Sequence, residues 1–395
     1  MAARTSRTNW KRKDVNNSRL ADAIAGYIPG PILRLRFLQK VMPSPFDRDA
    51  PWSQKSRLLV SSLAALLLFT APQPAPGVRT AYEIRRPSEA VSAGPAIVRV
   101  EEVPQIWQVE RTDAFETYSN GLRIDNRFAI ANHARSYLVF SATRPDDVRG
   151  ERHSVPAGIV FHTTESLQAP FEPGHNSRLK WIGESLLAYV RTKRAYHFLI
   201  DRFGRVYRVV REGDSANHAG SSIWSDPDWL YLNLNQSFLA VSFETQTLPG
   251  QEEATVNPAQ VRSAAMLTDM LRNRYGIPAG NCVTHAQVSV NNSNLRIGYH
   301  VDWASSFPFA QLGLPDNYAR PLPSVFLAGF DYDSSFEHKA GERVYREAQL
   351  AEEILRDQAA AANLEVPVYR KALQKRYRTQ LAAVTSKTNH MDDDE

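Results

Sequence analysis

Between residues 157 and 315 the apolar positions switch repeatedly between two periods. The run AGIVFHT is short, apolar and β-branched, which predicts a buried strand that delivers His162 at its end. HNSRLKWIGESLLAYVRT places its apolar residues at helical spacing. YHFLIDRFGRVYRVV predicts two strands joined by a turn at Arg202 to Gly204, and FLAVSFET predicts a further buried strand. NPAQVRSAAMLTDMLRNRYG predicts a helix with Asn257 as N-cap, Pro258 in its first position and Gly276 at its end; Val261, Ala264, Leu267 or Thr268, Leu271 and Tyr275 fall on one face. The alternation implies an α/β layer architecture with a central, mostly buried sheet flanked by helices.

The flanks read differently. From Gly77 to about Gly150, short β-like runs such as AIVRVEEV and SYLVFSAT are separated by Pro, Gly and Asn turns, with His133 and His153 as surface or turn histidines. Beyond Gly341, ERVYREAQLAEEILRDQAAAANL predicts an amphipathic helix with Val344, Ala348, Ala351 and Leu355 on one stripe, and a second charged helix follows Pro367. These helices either form an arm for a protein partner or dock on the domain. The acidic MDDDE tail reads as disordered.

Composition changes the picture at the N-terminus. A chain of 395 residues with 43% hydrophobic and 23% charged residues has ordinary globular proportions. The net charge of +5 is uneven, because residues 1–57 hold 12 Lys and Arg against 4 Asp and no Glu. The basic arm lacks a recognisable nucleic-acid-binding fold or interleaved aromatics, so nucleic acid is not the expected partner. Its segment ADAIAGYIPGPILRLRFLQKVM suits an anionic membrane surface or a solvated arm. LLVSSLAALLLF at 58–69 is the most apolar run, shorter than the roughly 20 residues of a full span. It reads as a short signal-anchor, the apolar core of an export signal, or a buried helix; basic residues ahead of it would send the rest of the chain across the membrane. The organisation expected is a basic arm (1–57), a signal-anchor or export segment (58–72), a β-rich extension (73–150), a central domain (151–315) and a C-terminal helical extension with an acidic tail (316–395).

Candidate chemistry concentrates in CVTHAQVSVNNSNLRIGYHVDW, where His285, His300 and Asp302 have the donor types of a metal site. A catalytic zinc takes about three protein ligands and keeps a position for water, which points to His162 as a ligand from outside this loop. The single cysteine, Cys282, excludes an intramolecular disulfide and Cys-rich zinc modules. It reads most simply as a small buried hydrophobe.

Taken together, VFHTT, the YHFLIDRFGRVY hairpin, the NHAG turn, the glutamate closing FLAVSFE and the late TH…HVD loop resemble the zinc-dependent N-acetylmuramoyl-L-alanine amidases, which include the phage amidase lysozymes and the peptidoglycan recognition proteins. The resemblance covers about 155 to 310. It implies an amidase-like mixed sheet, a Zn2+ cofactor held by His162, His285 and Asp302, and Glu244 as the residue that activates water. Tyr196 matches a tyrosine that assists at the reaction centre in the phage branch. His197 beside it reads as structural, or as a partner behind a ligand. His300 stands where many members carry a lysine that stabilises the developing oxyanion, and either His300 or Asp302 could be the final ligand. His218, Ser222 and Trp224 follow the family's cleft-lining turn and are expected to contact substrate.

The function implied is hydrolysis of the amide between N-acetylmuramic acid and L-alanine in peptidoglycan or a muropeptide, on the outer side of the cytoplasmic membrane. Two rival readings are a peptidoglycan-binding module without catalysis and a membrane-tethered scaffold whose terminal arms matter more than the cleft.

Overall fold

A computed structural model describes residues 105–388 apart from 145–146, 248–254 and 334. The basic arm, the 58–72 segment, the AIVRVEEV run and the acidic tail lie outside the described residues. Among the described residues no helix is long and apolar enough to cross a membrane.

The expected strands and helices form where the periodicity changes. Strands β1 (Gln108–Arg111), β2 (Phe115–Tyr118), β3 (Arg123–Asp125), β4 (Tyr137–Ser141), β5 (Glu151–His153) and β6 (Gly158–Thr163) precede helix α1 (Asn176–Thr192). The hairpin β7 (Phe198–Ile200) and β8 (Val206–Arg208) is followed by β9 (Trp224–Ser225), β10 (Trp229–Tyr231), a single helical turn α2 (Leu234–Ser237) and β11 (Phe238–Phe243). Helix α3 (Pro258–Tyr275) leads to β12 (Cys282–Thr284), the one-turn helix α4 (His285–Val288) and the small pair β13 (Val290–Asn291) and β14 (Arg296–Ile297). Helices α5 (Pro323–Phe326), α6 (Phe336–Ala361) and α7 (Val366–Thr388) complete the chain.

Local chemistry explains the boundaries. The Asn257 side chain accepts from the N–H groups of Ala259 and Gln260, and Gln260 returns a bond to the Asn257 backbone, a full capping box. Gly276 ends the same helix at φ +66°, where a side chain would be strained. In the hairpin turn, Asp201 Oδ1 accepts from Phe203 and Arg205 N–H, both at 2.9 Å. Gly204 sits there at φ +76°, and a Cβ would lie 2.6 Å from the Ala259 carbonyl oxygen.

The main sheet has eight strands in the order β1-β2-β3-β8-β7-β11-β6-β12. Its centre is parallel, β7 beside β11 beside β6 beside β12, while β8 runs antiparallel to β7. The first three strands continue this sheet through β3 beside β8, whereas β4 belongs to a second sheet. Strands β6 and β11 are buried along their whole length, which calls for layers on both faces. Phe198 and Ile200 join α3 residues Ala264, Leu267 and Leu271 in the main core, whereas Leu199 packs with Leu187 and Val190 of α1. A second, antiparallel sheet, β5-β4-β10-β9, packs Tyr137, Trp224 and Tyr231 against Val160, Phe238 and Val283. The C-terminal stripe Val344, Ala348, Ala351 and Leu355 is fully buried in the main core, so α6 docks on the domain.

Candidate metal centre

Three functional side chains emerge at the carboxyl ends of the parallel strands, the edge where sheets of this kind leave a crevice. His162 is the penultimate residue of β6, Glu244 directly follows β11, and His285 directly follows β12 as the first residue of α4. Ser242 is in register with His162, and Glu244 follows it by two residues, so the three side chains share one sheet face. Asp302 arrives from the loop after β14 and completes the group.

One donor atom each from His162, His285 and Asp302 lies within 4.8 Å of the other two, and all three residues are buried. His162 Nδ1 is 3.3 Å from Asp302 Oδ2, and His285 Nδ1 is 2.9 Å from Asp302 Oδ1. The partners assign the His162 tautomer. His218 Nε2 faces the Leu234 carbonyl at 2.9 Å, and a carbonyl only accepts, so this nitrogen carries the proton. His218 Nδ1 is therefore bare and accepts from His162 Nε2–H at 3.1 Å. That leaves the His162 Nδ1 lone pair turned towards a carboxylate oxygen.

Two acceptors 3.3 Å apart repel unless a cation lies between them. Ligands bound about 2.0–2.1 Å from a tetrahedral zinc sit about 3.4 Å from each other, so this pair already has the required separation. The site fits a zinc ion in donor type, donor number and donor orientation.

Electrostatics agree. Burial, reinforced by His285, pushes the His162 imidazole down to about 4, so it is neutral and able to donate its lone pair. Burial alone would raise the Asp302 carboxyl, but His285 beside it holds it well below the usual carboxylate range. Burial pushes Glu244 the other way, up to about 7, against the lowering effect of the Arg202 backbone N–H that donates to Glu244 Oε2 at 3.1 Å. Burial and the nearby Asp302 raise the Tyr196 phenol above its ordinary value, which keeps it a proton donor. The Tyr196 ring centre is 5.1 Å from that of His162, and its backbone adopts φ +62°, a left-handed conformation outside glycine's usual territory.

His300 lies outside the group formed by His162, His285 and Asp302. Its ring stacks on His285 with centroids 4.6 Å apart and planes 22° from parallel, on the exposed side of the loop. Burial against His285 lowers its pKa. His197 is fully buried, with Nδ1 accepting from Ala240 N–H at 2.9 Å, and acts as a structural link between β7 and β11.

The three residues expected to contact substrate all have partners within the protein. Both ring nitrogens of His218 are engaged by the protein, so this residue stands behind His162 as the partner that orients it. Ser222 is 2% exposed and donates to the Ala219 carbonyl at 2.5 Å. Trp224 is 1% exposed, donates from Nε1 to Asn281 Oδ1 at 3.2 Å and fills the core between the two sheets. The turn preceding them is closed on itself: Asn235 Oδ1 accepts from the N–H groups of His218, Ala219 and Gly220, each at 2.8 Å. The histidine of the NHAG turn thus faces His162.

Residues 152–296 match the family model described as N-acetylmuramoyl-L-alanine amidase. Similar solved structures include the N-acetylmuramoyl-L-alanine amidase LysC from Clostridium intestinale URNW, with 19% identity and a TM-score of 0.26 over 47% of this chain and 93% of that one. AmiD from E. coli, solved as a complex with anhydro-N-acetylmuramic acid-L-Ala-D-gamma-Glu-L-Lys, has 18% identity and a TM-score of 0.32 over 69% and 98%. The Drosophila peptidoglycan recognition protein SD has 17% identity and a TM-score of 0.24 over 35% and 73%. No curated protein matches the chain. Over residues 152–296 the chain is similar to the N-acetylmuramoyl-L-alanine amidase family.

Proposed function

We propose that this protein is a zinc-dependent hydrolase that cleaves the amide bond between N-acetylmuramic acid and L-alanine in peptidoglycan. The observation that carries this reading is the convergence of the bare His162 Nδ1, His285 Nδ1 and the ionised Asp302 carboxylate on one small space. His162, His285 and Asp302 would hold the metal. When bound, zinc polarises a carbonyl and lowers the pKa of a water to about 7.

The remaining work falls to the chain's own side chains. Glu244 Oε2 is held by the Arg202 N–H, which leaves Oε1 to take the proton of the attacking water. A carboxyl with a pKa near 7 is matched to that task and can return the proton to the leaving L-alanine amine. The Tyr196 hydroxyl donates to the carbonyl oxygen as charge develops there. His300, stacked at the open side of His285, would donate a ring N–H to the same oxyanion. Binding without hydrolysis is the rival, and the filled ligand set argues against it.

The substrate lies in the cell envelope, so we propose action on the outer side of the cytoplasmic membrane, with residues 58–72 serving export or anchoring. Purified protein is assayed for bound zinc and for new L-alanine amino termini released from peptidoglycan. The wild type is expected to show both and Asp302→Ala neither. Zinc-free wild-type protein that releases no amino termini defeats the proposal.

A further inference from the structure

The loop that carries His285 and Asp302 is gripped from behind by chain that follows the family match. Asn317 and Tyr318 occupy one 3-10 turn, Asn317–Ala319, and each takes hold of a different arm of the loop. Asn317 Nδ2 donates to the Cys282 carbonyl at 2.7 Å and to the Ala279 carbonyl at 2.8 Å, and the Asn317 carbonyl accepts from Gln287 Nε2 at 2.9 Å. Gln287 Nε2 also donates to Glu347 Oε1 of α6 at 2.7 Å, while Gln287 Oε1 accepts from Thr284 N–H at 3.0 Å. This network fixes the cap of the helical turn that begins at His285.

On the other arm, the Tyr318 hydroxyl donates to the Trp303 carbonyl and accepts from Phe307 N–H at 3.1 Å. Trp303 directly follows Asp302 and holds φ +58°. A left-handed residue other than glycine costs roughly 1–3 kcal/mol and persists only where its surroundings over-determine it. Here the surroundings are named: the Tyr318 hydroxyl on its carbonyl, and the rings of Phe243 and Phe307 against its indole at 5.6 and 5.4 Å between centroids. Gln287, Asn317, Tyr318 and Glu347 are 1%, 1%, 4% and 0% exposed, so water cannot replace these bonds.

We infer that Tyr318 is a positioning residue of the metal centre: by holding Trp303 left-handed it turns the Asp302 carboxylate towards His162 and His285, while Glu347 braces Gln287 behind His285. The inference rests on the metal-centre reading above. It makes the C-terminal extension part of the centre, so metal binding and the docking of 316–361 stabilise each other reciprocally.

Tyr318→Phe removes one hydroxyl and keeps the ring that packs on Phe309 and under Arg343. Burial pushes the Glu347 carboxyl up, and Glu347→Gln keeps the acceptor for Gln287 in an uncharged side chain, whereas Glu347→Leu removes it. Zinc affinity of the full chain is measured by chelator competition, and thermal midpoints with and without zinc. The zinc dissociation constant is expected to rise about 10–100-fold in Tyr318→Phe and Glu347→Leu, and the zinc-induced gain in midpoint to shrink, while Glu347→Gln behaves as wild type. A purely structural role lowers the midpoints of both forms equally and leaves zinc affinity unchanged, which overturns the inference. Should Tyr318→Phe not fold, equal affinities in Glu347→Leu and Glu347→Gln overturn it as well. Wild-type protein that binds no zinc defeats the metal-centre reading itself, and the inference with it.

Discussion

Glu244→Gln is expected to make the metal-free protein more stable at alkaline pH while abolishing hydrolysis. Glu244 is 2% exposed, and burial raises its pKa from 4.5 to about 7. The folded state therefore binds this proton more tightly than the unfolded state. Stability from this group is fully present below pH 4.5 and is lost as pH rises through about 7, after which the loss is constant. The displacement corresponds to about 3 kcal/mol. Glutamine retains an oxygen for the Arg202 N–H and has no charge to bury. Urea denaturation of metal-free wild type and variant from pH 4 to 8.5 isolates the group, because the other titrating residues cancel in the difference. The two curves should meet near pH 4.5 and separate by about 3 kcal/mol above pH 7.5, with the variant the more stable. A difference that does not change with pH, or a less stable variant at pH 8, refutes the argument, since either would mean that the carboxylate is well compensated in the fold.

In the zinc-loaded wild type, hydrolysis should rise with pH through about 7 as Glu244 loses its proton, and a rate independent of pH from 6 to 8 would remove it as the base. His218→Ala should weaken zinc binding about 10–100-fold, measured by chelator competition, because His162 Nε2–H loses the acceptor that turns Nδ1 inward. Trp224→Phe should lower stability by about 1–3 kcal/mol in urea denaturation and leave KM for muropeptide unchanged, as the indole bonds Asn281 inside the core. Gly204→Ala should destabilise by about 1–3 kcal/mol through both its φ of +76° and the overlap with the Ala259 carbonyl, read as a drop in thermal midpoint.

Much of the scaffold was legible in the order of residues because its signals are local. Apolar period, the Asn257 cap, Pro258 and Gly276 act within a few positions of themselves, and they delimit α3 as read. His162 and Glu244 were legible as polar residues closing apolar strands, since a buried strand that ends in a charge or imidazole needs a partner there. The addition of β1–β3 to the sheet was not legible, because strand pairing across long separations leaves no local mark.

The sequence by itself determined which residue types were available: two imidazoles and a carboxylate near the strand ends, and a histidine two positions before that carboxylate. It left open whether His300 or Asp302 turns inward, and it gave no sign that Ser222 and Trp224 are buried. Tertiary structure decided these questions. A left-handed Trp303, held by Tyr318 from a segment beyond the family match, brings Asp302 to His162 and leaves His300 stacked outside on His285. The direction of a side chain on an irregular loop follows from backbone dihedrals that distant contacts impose, and spacing along the chain carries no record of them.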